Sequence, residues 1–226
     1  MPASYPLTLP STPGIRDIEW LPTNNVETSR SIFTFVSQTY DWGGKTRSVR
    51  IELPPMSVAN AKVWQAWLHE MNGRAGTFYV KDSIGDVPQG TGGGTPLVKG
   101  AGQTSESLAT DGWTPTTATV KAGDWISIHD RLYMILDDVT ADGSGNMTLT
   151  VWPNADDPGD NATIAFGTAA KGIFRLSDFP SFAWSVDRIQ EPLTLIAVEA
   201  KVWGALLEQN GDALLLEDST YLTIEG

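Results

Sequence analysis

One segment of this chain has the hydrophobic periodicity of a helix, and this constrains the fold more than any other feature. In residues 58–71 the apolar side chains recur at intervals of three and four residues, which places them on one side of a helix. They are Val58, Ala61, Trp64, Leu68 and Met71. Ser57 precedes them as an N-cap residue, whose hydroxyl accepts a backbone N–H. The spacing predicts one helix over 57–72 in a chain otherwise built of strands and turns.

The predicted helix is followed closely by an aromatic strand. Gly73 comes after the last apolar residue and suits the left-handed conformation that often ends a helix. Gly76 permits a second sharp bend before the strand at 77–80 (TFYV). We therefore expect the helix to cover a sheet with its Trp-rich face, and the next strand to fold back onto that sheet.

Two β-rich runs precede the helix, at 32–42 (IFTFVSQTYDW) and 45–53 (KTRSVRIEL). Between them stands Gly43-Gly44, a dipeptide that accepts positive φ and favours a tight hairpin turn. From 49 to 53 apolar and charged residues alternate, which predicts one buried and one exposed face. The sequence therefore predicts a hairpin that turns at these two glycines.

The composition changes after about residue 85. Gly, Thr, Ser and Pro dominate as far as 123, which predicts long loops and short strands. Four short β-rich runs separated by turns follow, at 124–128, 131–139, 147–152 and 162–166. Longer strands resume at Gly172. We predict a mainly β chain in which a β-sandwich domain, 1–84 plus 173–201, is interrupted by a small antiparallel β-barrel or sandwich at 85–172.

The last segment, 202–226, is an acidic extension. It contains no Lys or Arg and five carboxylates, which are Glu208, Asp212, Glu217, Asp218 and Glu225. The pattern favours either a hairpin that turns at Asn210-Gly211 or an extension that binds a partner.

Composition and charge exclude several classes of protein. No window approaches the roughly 18 apolar residues of a membrane span. The absence of Cys excludes disulfides and thiolate chemistry, and no signal-peptide pattern opens the sequence, so we expect cytoplasmic synthesis. A net charge of −12 disfavours stable binding of nucleic acid, which depends on Lys and Arg. The acidity indicates either simple solubility or a surface that must not retain DNA passing nearby.

No set of residues has the spacing of a catalytic or metal site. His69 and His129 lack partners at metal-ligand spacing, and we expect both to be solvated. Asp142, Ser144 and Asn146 match the first ligand positions of a calcium loop, but the glycine and glutamate that complete such a loop are missing. We therefore predict a hairpin turn there, and no catalytic residue, metal or cofactor.

Three tryptophans of the predicted module allow two interpretations. Trp113, Trp125 and Trp152 could form a platform on which sugars stack, or they could form the core of a small barrel. Core packing is favoured. The first interpretation defines an alternative function, a carbohydrate-binding module that contacts host-surface glycans through 85–172.

The order of elements around the helix resembles a family of phage proteins. A hairpin, then LPPM, the capped helix VANAKVWQAWLHEMNG and the strand GTFYV resemble the distal tail (baseplate ring) family of siphophages, to which the lambda-type minor tail protein M is also similar. The opening YPLTLPSTPGIRDIEW, the sequence DWGG and much of 100–153 also resemble minor tail proteins. The resemblance extends to about residue 201 and leaves out the acidic extension.

The resemblance implies a tail-tube-like β-sandwich with a flanking helix, and a structural rather than enzymatic role. Members assemble as a ring, commonly of six subunits, between the tail tube protein and the baseplate hub protein. The chain would then be a virion component of the tail tip, made in the host cytoplasm. DNA would pass through the ring at ejection without stable binding, and no membrane partner is implied.

Candidate structural and interface residues come from the helix, its exit and the strand before it. The helix and its exit contribute Trp64, Leu68, Met71, Gly73 and Gly76, while the strand contributes Arg47 and Arg50. We expect the two arginines at contacts between subunits. Because the first 80 residues are nearly balanced in charge, we expect carboxylates of the later segments to leave the bore of the ring net negative.

Overall fold

The computed structural model describes residues 4–82, 85, 87–183, 185 and 189–200, together with the backbone of two short strands near the C-terminus. Over these residues the chain is mainly β with one α-helix, which confirms the predicted mainly β fold class. Two sheets contain most of the strands, and each has its own hydrophobic core.

Five antiparallel strands form the first sheet, in the order β1-β2-β15-β13-β4. They are β1 (Asp17–Arg30), β2 (Ser37–Leu53), β4 (Phe78–Val80), β13 (Gly172–Leu176) and β15 (Leu193–Glu199). Leu7 forms a parallel bridge with Phe78 and so covers the β4 edge. The sheet is therefore assembled from segments that lie on both sides of the second sheet in sequence.

Helix α1 (Val58–Glu70) packs on the first sheet and follows a short ladder between β3 (Met56–Ser57) and β14 (Ile189–Gln190). Trp64 and Trp67 pack edge-to-face with ring centroids 5.7 Å apart, and Trp67 meets Phe78 of β4 in the same way. Ser57 occupies the N-cap position, as predicted, although its side chain forms no capping hydrogen bond.

The exit from the helix follows the prediction. Gly73 has a φ of +67°, the left-handed conformation that glycine adopts without strain. The amide of Gly76 donates to the carbonyl of Met71 at 2.9 Å. A Cβ at Gly76 would overlap that carbonyl oxygen and would lie 2.6 Å from a ring carbon of Tyr5. Only glycine allows the chain to bend so tightly into β4.

The predicted hairpin turn at Gly43-Gly44 is wrong. β2 runs through both glycines and pairs with β1, and the chain reverses direction at 31–36. The two glycines form a bulge, because the β1–β2 register shifts between Asn24 and Val26. A bulge and a primed turn both favour positive φ, which Gly43 has, and so the dipeptide alone does not distinguish them.

Six antiparallel strands form the second sheet, in the order β12-β8-β9-β11-β6-β5. They are β5 (Gly94–Val98), β6 (Ser107–Trp113), β8 (Trp125–Ile128), β9 (Arg131–Ile135), β11 (Met147–Trp152) and β12 (Ile164–Phe166). A bridge between Leu97 and Thr163 brings β5 back to β12, so the sheet nearly closes into a barrel. Beside it, β7 (Thr119–Val120) pairs with β10 (Val139–Thr140), and a short 3-10 helix (Gly167–Ala169) leads towards β13.

Near the C-terminus, β16 (Leu214–Leu215) pairs with β17 (Tyr221–Leu222) in an antiparallel ladder. The turn predicted at Asn210-Gly211 and the carboxylates of the acidic extension lie outside the described residues. Within the described ranges, no helix has the length and apolar character needed to cross a bilayer.

Candidate interaction surface

The distal part of the β1–β2 hairpin projects beyond the first sheet. β15 pairs with β2 only over Ser48–Leu53, so residues 21–44 extend past it as a two-stranded ribbon, which we call the arm. Every side chain of the arm except Ser31 is exposed. From residue 21 to 30 the arm spans roughly 30 Å at the usual rise of a β-strand.

Large apolar side chains concentrate on the arm. The turn carries Ile32, Phe33, Phe35 and Val36, and the two strands carry Leu21, Val26, Tyr40 and Trp42. Phe33 is 88% exposed, and Tyr40 and Trp42, each 60% exposed, pack against one another with ring centroids 4.5 Å apart. The four aromatic rings alone expose on the order of 500 Å². This is the size of the largest apolar patch on a typical monomer, and patches of that size are often sites of protein contact.

The arm also has open hydrogen-bonding edges. β1 is an edge strand of the first sheet, and from Ser37 to Arg47 β2 has no strand partner other than β1 among the described residues. Proteins usually protect such edges with charge, proline or a bulge. The arm contains one proline, the bulge and three charged residues, Glu27, Arg30 and Asp41. At the end of the arm, Arg30 is the charged residue next to the apolar turn, with its guanidinium 4.9 Å from the ring centroid of Phe35.

The barrel holds the base of the arm through Lys45. Its ammonium donates to a carboxylate oxygen of Glu106 at 2.7 Å and to the amide oxygen of Asn154 at 2.9 Å. The Lys45 side chain is only 14% exposed, whereas Glu106 is more than half exposed. Both acceptors belong to the barrel side of the contact, so β2 is fastened to the barrel directly next to the glycine bulge.

Arg47 lies two residues further along β2 and is almost fully buried, with 1% of its surface exposed. Its guanidinium lies 5.0 Å from the ring centroids of both Trp125 and Trp152, a cation–π arrangement, and donates to the Trp152 carbonyl at 3.1 Å. Burial lowers the pKa of Arg47 to about 10, because the charged form loses its hydration, while the nearby Glu199 carboxylate opposes this shift.

Charged side chains connect the first sheet to the barrel around Arg47. Glu199 of β15 lies 4.0 Å from Arg47 and 3.8 Å from Arg131 of β9, and Arg131 also pairs with Asp156. These groups lie where the two sheets meet, since Trp125 and Leu132 of the barrel pack into the core of the first sheet. The barrel is therefore seated on the first sheet by packing and by charge.

The two predicted interface arginines have different environments. Arg47 is enclosed within the chain, so the expectation that it serves contacts between subunits is wrong. Its position is in phase with the buried residues of β2, which explains its inward direction. Arg50 points to the opposite, exposed face of the sheet, where it pairs with Glu52 at 3.1 Å and with Glu19 at 3.9 Å.

The candidates on the helix belong to the interior. Trp64, Leu68 and Met71 are fully buried in one cluster with the first sheet. Gly73 and Gly76 shape the exit from the helix, as described above. These residues therefore stabilise the fold on which the arm stands, and none of the three apolar side chains is available to a neighbouring chain.

The residues considered for metal binding or catalysis remain apart. His69 and His129 are both exposed, and the latter lies in the turn between β8 and β9. The Asp142 carboxylate accepts the amides of Ser144 and Asn146, each at 2.8 Å. A turn is therefore present where one was predicted, but it joins β10 to β11, which pair with other strands and not with each other. In the part of the chain that the structure describes, no group of three or more His, Cys, Asp or Glu side chains could hold a metal ion.

The three tryptophans of the module lie mostly inside. Trp113 is buried in the core of the barrel, as predicted, whereas Trp125 is buried in the core of the first sheet. Trp152 is half-buried against Arg47. Two of the three rings are therefore unavailable for stacking on a sugar, and the platform that suggested glycan binding is not formed by this set.

Sequence reasoning missed the arm and also a buried carboxylate. Asp124 accepts backbone amides from Gln89 at 2.7 Å, Gly90 at 3.0 Å and Lys121 at 2.9 Å, and so fixes the Gly-rich loop before the barrel. Its position in AGDW, just after a glycine turn, is the only signal for this role. The apolar run at 32–36 is visible in the sequence, but its composition predicts the start of a strand.

Comparison with models of known protein families gives no match, and comparison with curated proteins gives none either. The arm, its apolar side chains and its fastened base are therefore the observations from which a function is inferred.

Proposed function

We propose that the protein is a structural subunit of a phage tail. In this proposal, copies associate into a ring at the distal end of the tail tube, join the tube protein to the baseplate hub protein, and let DNA pass during ejection. The single observation that carries the proposal is the arm, a β-ribbon whose side chains, apart from Ser31, are exposed and are not covered by the rest of the described chain. The resemblance of the sequence around α1 to distal tail proteins supports the choice of assembly.

Contact between copies accounts for both properties of the arm. Apolar side chains lose their unfavourable hydration when a neighbour covers them. Open strand edges gain hydrogen bonds when another strand is added. In the proposed ring, the arm of each copy contacts a different surface of the next copy, so the contact is head-to-tail. Such contacts close into a ring when the rotation per copy is a whole fraction of a turn.

Charge supports the passage of DNA without retention. Each copy carries a net charge of −12, and a ring multiplies this value by the number of its subunits. Fixed negative charge repels DNA phosphates over about a Debye length, roughly 10 Å. Lys45 and Arg47, two of the cations in the arm region, are already engaged with groups of the same chain.

Self-association of the purified chain tests the proposal. We expect a defined ring in negative-stain images and the mass of a closed oligomer by light scattering. Phe33→Ser should shift the population towards monomer without changing the circular dichroism spectrum, because this side chain is 88% exposed. Val87→Ser is the matched control, since Val87 is 74% exposed but lies outside the arm, and it should assemble like the wild type.

Two results would contradict the proposal. One is a wild-type chain that stays monomeric at high concentration, even with the tube and hub proteins present. The other is a Phe33→Ser variant that forms the same rings with the same affinity as Val87→Ser, because the arm would then not be the contact that builds the ring.

A further inference from the structure

Along β2, the contact with the barrel at Lys45 is preceded within a few residues by the exposed arm. Lys45 is held by Glu106 and Asn154 of the barrel, as described above. Two residues before it, Gly43 has a φ of +74° and open space where a side chain would be, and the bulge interrupts the register with β1. The bulge is therefore the place where the arm can bend, and the fixed point at Lys45 lies directly next to it.

We propose that the barrel positions the arm, and that the contact of Lys45 with Glu106 and Asn154 thereby regulates self-association. This inference rests on the proposed function, since it concerns the same arm. Lys45 is a positioning residue, because it acts on the direction of the arm and not on the docking surface itself.

The physical reason is preorganisation. A two-stranded ribbon without a core on either face is marginally ordered by itself. A neighbour that captures it must restrict its motion, and this ordering reduces the affinity of the contact. Fixing the base in the free chain removes part of that restriction beforehand. The two polar contacts of Lys45 act at the place where a small rotation displaces the distant turn most.

Coupling of this kind is reciprocal. If the contact of Lys45 with the barrel strengthens docking of the arm, then docking of the arm must strengthen that contact by the same free energy. A partner that binds the barrel and moves it away from Lys45 would weaken the ring. A partner that holds the barrel in place would strengthen it.

The test compares two lysines in the full-length chain. Lys45→Met keeps the aliphatic length but removes both polar contacts. Lys62→Met is the matched control, because Lys62 is exposed on α1. We expect Lys45→Met to weaken association roughly threefold to tenfold, the range for a partly exposed charged hydrogen bond. Lys62→Met should have no effect, and Lys45→Arg, which can restore the contacts, should recover most of the affinity.

Hydrogen exchange of the dilute monomer separates positioning from stability. Amides of the arm should exchange faster in Lys45→Met, while amides of the barrel and of α1 stay as protected as in the wild type. Glu106→Gln should have a smaller effect in the same direction. Combining it with Lys45→Met should add little, because Lys45→Met already removes the contact between Lys45 and Glu106.

The outcomes distinguish this inference from the proposed function. Exchange in the arm is measured on monomers, so it reports on the fastening of the arm even if the wild-type chain forms no ring. Unchanged arm exchange in Lys45→Met would overturn the inference. So would a general loss of protection that includes the barrel core, since Lys45 would then be only a stabilising residue.

Discussion

Helix α1 and the arm carry similar aromatic pairs in opposite environments. Trp64 and Trp67 meet edge-to-face at 5.7 Å beneath the surface, with Trp64 fully buried. Tyr40 and Trp42 meet edge-to-face at 4.5 Å in the open, each 60% exposed. The ring chemistry is nearly the same, so the difference lies in what covers the rings. The sheet covers the first pair, whereas the second pair faces solvent.

This difference separates two roles that apolar residues have in one chain. The helix pair contributes to the free energy of folding, because burial occurs when the chain folds. The arm pair contributes little to folding, and in the proposed ring it would contribute to association instead. Substitutions in the two regions should therefore change different measurements.

The largest expected effect comes from the helix. Trp64→Ala should lower the free energy of unfolding by about 3–5 kcal/mol, because it removes a fully buried ring and leaves a cavity. Trp42→Ala, the matched change on the arm, should alter it by about 0.5 kcal/mol or less. Urea denaturation of dilute monomers measures both values. A comparable loss of stability in the two variants would show that the arm is packed in solution.

Next in size is the bend that joins α1 to β4. Gly76→Ala places a methyl group against the Met71 carbonyl and 2.6 Å from a ring carbon of Tyr5, and overpacking of this kind costs about 1–3 kcal/mol. Gly14→Ala is the control, since a Cβ there would have no neighbour within 4 Å. We expect the control to keep its thermal midpoint. If Gly76→Ala melts at the same temperature as Gly14→Ala, the bend does not require the absence of a side chain.

The buried regions were predictable because an element with one covered face has apolar residues at regular intervals in its sequence. The alternation from Val49 to Leu53 and the helical spacing around Trp64 both reflect one covered face, and both predictions are confirmed. The four short runs of the module likewise correspond to β8, β9, β11 and β12. We also predict, from these short strands that lie close in sequence, that residues 86–172 fold by themselves. Trp125, which packs into the first core, would lose that cover in the isolated module.

The arm was not predictable in the same way, because it has no covered face. Both sides of the ribbon meet solvent, so its residues carry no alternation that could place β1 or set the position of the turn. Gly43-Gly44 then gave the stronger local signal, and it indicated a turn where the structure has a bulge. The burial of Arg47 did have a signal, since it continues the phase of the buried residues of β2, but the partner that encloses it lies about a hundred residues away in sequence.

The smallest expected effect is a pH dependence of stability from the buried titratable groups near the contact between the barrel and the first sheet. Burial raises the pKa of Tyr133, because the phenolate would lose hydration, and the neighbouring Arg131 guanidinium only partly opposes this. The pKa in the folded state therefore lies above the unfolded value of about 10. The stability that Tyr133 contributes is fully present below pH 10 and is lost as the pH rises through the folded-state pKa.

Arg47 acts in the opposite sense, since its folded-state pKa of about 10 lies below that of the unfolded chain, so its contribution to stability rises with pH above 10. Tyr133→Phe removes only the first effect. Ultraviolet absorbance measures the phenolate form of tyrosine, and the difference between the wild type and Tyr133→Phe isolates the contribution of Tyr133. In the folded protein this difference should develop above pH 10. The free energy of unfolding, measured with urea over the same pH range, should fall less steeply with pH in Tyr133→Phe than in the wild type. If this difference develops at or below pH 10, water reaches Tyr133. The barrel would then pack less closely on the first sheet than its contacts with Arg47 indicate.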